Sequence, residues 1–365
     1  MPAWMNTRTF PLLPMASAFP IVPAPWDQAL FVSMLAALIA AAWFYRIAVI
    51  YFLCASLIAY CGDQNRGQPW LYMYWVMLLL TLLPAASAFA ACRWALTVVY
   101  LWGGIQKCNA RFFEKVPGWF VSPAANWNLP AFALDVLRWS AASAPFLEIA
   151  IAVALWFTRS RRPALIAIVV LHTFAVLFLG PLGHNYNWVV WPWNLAMIAL
   201  ACILFPSAPK AKSPTPTLAE SFGVLRRSRV ALALLIPFTF LPVLSYSGKW
   251  DSAFSFALYS ESNATANLFV TQRFIDQLPP KLRTYIIPFP QYDPQYQGPF
   301  IFNFAPWAYE ELHIPPLSEP RNFRSVFNAL RVYAPEPPDL RMIVGERGGR
   351  VMFHQGDMSW PLPTR

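Results

Sequence analysis

The chain has 365 residues, of which 58% are hydrophobic and 12% charged; the mean hydropathy is +0.43, and an average globular chain is about 25% charged. This composition excludes an ordinary water-soluble domain and describes a polytopic membrane protein, with 17 Trp and 14 Tyr suited to interfacial belts. The net charge of +10 is carried by residues 1–246, with 16 Lys+Arg against 6 Asp+Glu, whereas residues 247–365 hold 11 of each; that asymmetry is a topology signal, and no nucleic acid partner is expected.

Residues 1–26 are Pro-rich and read as a peripheral arm. The apolar block 29–60, interrupted by Arg46, is read as two short spans, 27–45 and 47–61. One long tilted helix is the alternative. The dense polar run 63–70 that follows is a loop in which Asp63 and Arg66 either pair with each other or line the mouth of a site. The next span covers 70–90, with Pro84 as a kink. It is followed by 93–110.

That fourth span carries Tyr100-Leu-Trp-Gly-Gly-Ile-Gln-Lys-Cys-Asn. Taking Arg93 as one membrane face, Lys107 lies about 21 Å along the helix, roughly two-thirds of the way through a core about 30 Å thick. It either snorkels to the interface beside Arg111 and Lys115 or is a buried base. Gly103 and Gly104 permit close approach of a backbone or a flat ligand. Tyr100, Gly103, Gly104 and Lys107 share one helical face.

Residues 111–137 are amphipathic and expected along the interface. Span 138–157 carries Glu148, either a functional carboxyl or a protonated one bonded to a neighbouring helix. Span 163–180 carries His172, and His184 lies in the loop beyond it. On span 187–205, Asn187, Trp191 and Asn194 fall on one face. No Cys/His cluster has zinc spacing, so no metal is expected. Residues 206–229 read as a basic Pro-rich cytoplasmic linker, and 230–246 as the last span. The tail, 247–365, reads as a small extracytoplasmic region. Its extended stretches are 265–274 and 340–354, the second with a turn at 345–349, and 320–333 has a helical period. The five cysteines (54, 61, 92, 108 and 202) all precede the tail, and Cys61 and Cys108 are the candidate redox pair.

The fold class is therefore an all-α polytopic membrane bundle of about eight transmembrane helices with a small C-terminal extracytoplasmic α+β region. The basic turns place both the arm and the tail outside the cytoplasm. Residues 100–109 resemble the Tyr-Phe-x-x-Gly-x-x-Lys-Leu segment of the HTTM domain, the membrane domain of vitamin K-dependent γ-carboxylases and bacterial relatives, near the DoxX-like membrane proteins. The run 63–70 is similar to one in bacterial proteins of this type.

The resemblance covers about residues 27–205. It implies a bacterial inner-membrane location, a quinone-like hydroquinone as cofactor or substrate, and Lys107 as the base. Cys108 stands where the family has leucine, and no glutamate-binding segment matches. Glu148 and His172 join Lys107 as catalytic candidates. Asp63, Arg66, Tyr100, Trp102, His184, Asn187 and Asn194 are candidate substrate contacts. Two functions stay open: handling a lipid-soluble substrate with an intramembrane lysine, or serving as a non-catalytic anchor or carrier whose tail binds an extracytoplasmic protein partner.

Overall fold

The computed structural model describes residues 2–16, 19, 21–206, 216–289, 300–346 and 349–354, with the side chains of 346–354 outside the description. The chain divides into two compact units. One comprises residues 32–57 and 67–262, the other residues 1–31, 58–66 and 263–365.

The helices of the first region are α1 (Trp26–Ala40), α2 (Tyr45–Gly62), α3 (Pro69–Leu80), α4 (Ala85–Lys107), α5 (Ala110–Val121), α6 (Ala131–Ala154), α7 (Thr158–Leu179), α8 (Val190–Leu204), α9 (Leu218–Leu225) and α10 (Arg229–Phe240). Block 29–60 is thus two helices, with the break at 41–44. Among the described residues, five segments are long and apolar enough to cross a membrane: α2, α4, α6, α7, and α10 with its 3-10 extension to Ser247. α1, α3 and α8 are apolar but shorter. Of the about eight spans expected, five are therefore helices of sufficient length, and three are shorter.

α4 is the central helix of the larger unit: 72% of its apolar window is buried, against 22% for α6 and 28% for α7. Its Ala91, Ala95, Leu96 and Val98 join Met73 and Leu80 of α3, Ile151 of α6, Ile168 of α7, Met197 and Ala201 of α8 and Leu235 of α10 in one core. Small residues let α4 sit inside. A Cβ on Gly104 would lie 2.5 Å from the carbonyl oxygen of Pro145 and 2.7 Å from Ile149 Cγ1, so α4 and α6 meet at backbone distance there.

Two expected boundaries move. Pro84 does not kink a long helix but precedes a new one, since the residue before a proline is biased away from helix, and α4 starts at Ala85. Arg93 lies inside α4, buried, its Nε donating to the Leu204 carbonyl at 2.5 Å. Lys107 is accordingly the last residue of a 23-residue helix, about 34 Å long, and does not sit two-thirds of the way along a span. Residues 131–137 belong to α6 rather than to the amphipathic segment.

The smaller unit is built on a five-stranded antiparallel sheet ordered β2-β3-β1-β4-β5. Its strands are β1 (Thr265–Val270), β2 (Ile286–Pro288), β3 (Phe300–Phe302), β4 (Leu340–Glu346) and β5 (Gly349–His354), with helices α11 (Gln272–Gln277), α12 (Pro280–Arg283), α13 (Phe304–Leu312) and α14 (Pro320–Leu330). Leu340, Met342 and Val344 alternate into the core with Phe323, Val326 and Leu330 of α14, as a period of two against a helical stripe requires. Residue 271 ends the extended stretch expected over 265–274, because Thr271 caps α11 through its side chain. The central residues of the expected 345–349 turn lie outside the described residues.

The N-terminal arm is not peripheral to this unit. Phe10 is 1% exposed and packs edge-on against Trp307 at 5.0 Å. Glu311 accepts the backbone N–H of Thr9 at 2.7 Å and of Phe10 at 2.6 Å, and Lys281 at 2.7 Å.

Candidate functional site

The larger unit holds a partly open cavity of about 140 Å³. α4 contributes Val99, Tyr100, Gly103 and Lys107; α5 contributes Phe112, Val116 and Phe120; α6 contributes Ala141, Ala144 and Glu148. His172 and Phe174 of α7, Trp193 and Asn194 of α8, and Phe256, Leu258 and Tyr259 nearby complete most of the wall. Most of this surface is apolar, so its few polar groups fix what can bind.

The first polar group is an ion pair. Lys107 Nζ lies 3.0 Å and 2.9 Å from the two Glu148 oxygens and 2.9 Å from the Gly103 carbonyl. The two side chains are 13% and 14% exposed. Position in α4 favours the cation, because the last turn of a helix carries partial negative charge and free carbonyls. Gly103 makes room for the carboxylate: a Cβ there would stand 2.8 Å from Glu148 Oε2.

The second is a directed hydrogen-bond chain. Asn194 Nδ2 donates to the Val190 carbonyl at 2.7 Å, one helical turn back. Its Oδ1 therefore accepts, at 2.6 Å, from Nδ1 of His172. That leaves Nε2 of His172 as the acceptor for the Tyr100 hydroxyl at 2.7 Å. The ring thus holds one proton, on Nδ1. Three helices are joined by this chain.

Of the ten candidates from the sequence, Tyr100, Lys107, Glu148, His172 and Asn194 line the cavity. Asn187 is one bond removed. It lies before α8, not on it, in a left-handed conformation with φ 57°, and donates to the hydroxyl of the cavity-lining Tyr259 at 3.1 Å. Burial pushes the Tyr259 phenol above its ordinary value. Trp102 points elsewhere, its Nε1 bonded to the Thr239 carbonyl at 2.8 Å. His184 stacks on Trp119 at 4.5 Å and bonds the Trp119 carbonyl at 2.9 Å.

Asp63 and Arg66 belong to the smaller unit, where they clamp the N-terminal arm. Asp63 pairs with Arg8 and accepts the Leu13 N–H at 3.1 Å. Arg66 donates to the carbonyls of Ala3 at 3.0 Å, Ala59 at 2.7 Å and Trp4 at 3.2 Å. Burial pulls the Arg66 guanidinium below its ordinary value, and Asp63 acts against that. The five cysteines are free thiols, so Cys61 and Cys108 form no disulfide.

Sequence reasoning missed Phe256, Leu258 and Tyr259, which it assigned to the tail, and the α5 face of Phe112, Val116 and Phe120, which it laid along the interface. Amphipathic periodicity was the only available signal for α5, and it marks an apolar face without saying what the face meets. No family model, curated protein or solved structure matches the chain.

Proposed function

We propose that the chain is a multi-pass membrane protein whose cavity takes a small lipid-soluble molecule bearing an ionisable hydroxyl, of the hydroquinone class, and that Lys107 and Glu148 handle its proton. The observation that carries this reading is an ion pair opening onto an otherwise apolar cavity. A volume of about 140 Å³ suits one ring, since an apolar cavity of about 150 Å³ takes benzene.

The roles follow from the bonds. An ammonium has three donors and no lone pair, and Lys107 has three acceptors around it. Glu148 is then the base. The hydroxyl O–H breaks, its proton goes to the carboxylate, and the oxyanion is held by the Lys107 charge. This exchanges the roles expected from the HTTM-like segment, in which the lysine is the base, while keeping both residues at the site.

Topology supports a membrane setting with an even number of crossings. Arg8 of the arm binds Asp63, and Thr9 and Phe10 bind Glu311, so the arm, residues 58–66 and the tail share one side. α2 as a lone crossing between Arg8 and Asp63 breaks that parity, which favours α1 as its partner. By the same rule α3 and α8 cross both or neither, and the positive-inside rule favours both, for a count of eight. The basic turns at Arg46, 159–162 and 206–229 then face the cytoplasm, and the tail faces outward from a bacterial inner membrane.

The test is binding of a short-chain hydroquinone to the purified protein, followed by tryptophan quenching. Wild type is expected to bind both hydroquinone and its dimethyl ether. Glu148→Gln should lose the preference for hydroquinone, and Ala144→Phe, which fills the cavity, should lose both ligands. Unchanged hydroquinone binding in Ala144→Phe sinks the reading and leaves the anchor, whose function should then depend on residues 263–365.

A further inference from the structure

Away from the cavity, the larger unit buries two arginines without an acid. Arg93 of α4 is 7% exposed and Arg161 of α7 is 4% exposed. Each spends its Nε on a helix C-terminus: Arg93 on the Leu204 carbonyl that ends α8, at 2.5 Å, and Arg161 on the Leu155 carbonyl just past α6, at 3.1 Å. The two anchor points are in contact through Phe205 and Trp156, whose rings meet edge-on at 5.6 Å. Phe205 also lies under the Arg93 guanidinium, 6.0 Å from its centroid. The charge that bears on Arg93 is another cation, Arg161.

Neither arginine has an ion pair among the described residues. Arg161 Nη2 is buried and meets no hydrogen-bond partner among them. The sequence explains why. No acidic residue lies between Asp63 and Glu114, or between Glu148 and Glu220, and Glu220 is occupied in the capping box of α9. A buried guanidinium with an unmet N–H is costly, and a second cation beside it adds repulsion. An anion supplied from outside the chain resolves both.

We propose that Arg93 and Arg161 form a binding site for a phosphate-class anion, carried either by an anionic lipid headgroup or by free phosphate. Guanidinium forks match phosphate oxygens in pairs. The Nε bonds hold both forks at helix ends, and the aromatic rings of Phe89 and Phe205 flank Arg93. The exposed neighbours Arg159 and Arg162 draw anions in without forming the site. This inference is independent of the cavity and its ligand.

The experiment uses the full chain in detergent and has two arms. Native mass spectrometry counts retained phosphatidylglycerol against phosphatidylcholine. Thermal unfolding is titrated with inorganic phosphate against chloride at one ionic strength. Arg161→Gln is expected to weaken anion binding about tenfold or more, the loss of charge-assisted hydrogen bonds, while Arg162→Gln leaves it unchanged. An effect confined to phosphatidylglycerol assigns the lipid, and stabilisation by phosphate alone assigns the free ion. Equal behaviour of Arg161→Gln and Arg162→Gln in both arms overturns the site. Should Arg161→Gln not fold, Arg161→Lys keeps the charge but not the fork and is expected to bind several-fold more weakly; full affinity in that variant overturns the site as well.

Discussion

Lys107 and Glu148 are 41 positions apart in the chain and 2.9 Å apart in space. Removing one partner strands the other's charge. Glu148→Gln or Lys107→Met alone should cost about 3 kcal/mol, whereas Lys107→Met with Glu148→Leu should recover most of it; a double-mutant cycle on thermal unfolding measures the coupling. Tyr100→Phe removes the donor to His172 and should cost about 1 kcal/mol without altering the ion pair. These residues were legible in the sequence because polar side chains inside apolar runs are conspicuous. Asp63 and Arg66 were equally conspicuous, yet they clamp the arm. A dense polar loop reads the same whether its partners are a ligand or a distant stretch of backbone. Tyr259 was invisible because nothing local distinguishes it from any other aromatic residue after the last span.

At the scale of helices, two glycines make opposite predictions. A methyl group on Gly104 collides with the backbone at Pro145, so Gly104→Ala must push α4 away from α6. A loss of at least about 2 kcal/mol is expected, in the range for overpacking. Gly118 of α5 has nothing within 4 Å of its added Cβ, and Gly118→Ala should gain about 0.5–1 kcal/mol from helix propensity and unfolded-state entropy. Paired melting curves of the two variants check both signs. Helix existence was legible from hydropathy for the long apolar runs, but not for α9, which lies inside the expected linker 206–229 and starts at the Thr217–Glu220 capping box. The start of α4 was not legible either, because an arginine inside a helix looks like a helix boundary until its acceptor is known. Arg93 finds that acceptor on the Leu204 carbonyl, 111 residues away.

For the whole molecule, the arm's attachment is titratable. Burial pushes the Glu311 carboxyl up, but Lys281, Thr9 and the Phe10 amide outweigh it and hold it at about 2. The resulting stabilisation is present above the ordinary value of 4.5 and is lost as pH falls through 2. It is on the order of 3 kcal/mol. Protection factors for hydrogen exchange at Thr9 and Phe10, taken against the intrinsic rate at each pH, should therefore fall below about pH 4, and Glu311→Gln should remove that dependence.

The same attachment dictates an order of events. Thr9 leaves the ribosome 302 positions ahead of Glu311. At about 5–20 residues per second, the gap is roughly 15–60 s. Through that interval Phe10 lacks Trp307, whereas Asp63 and Arg66 already have their partners Arg8, Leu13, Ala3 and Trp4. The stretch at Thr9 and Phe10 is therefore made well before the helix that holds it, and a message cut short before α13 leaves both residues without their partners Glu311 and Trp307.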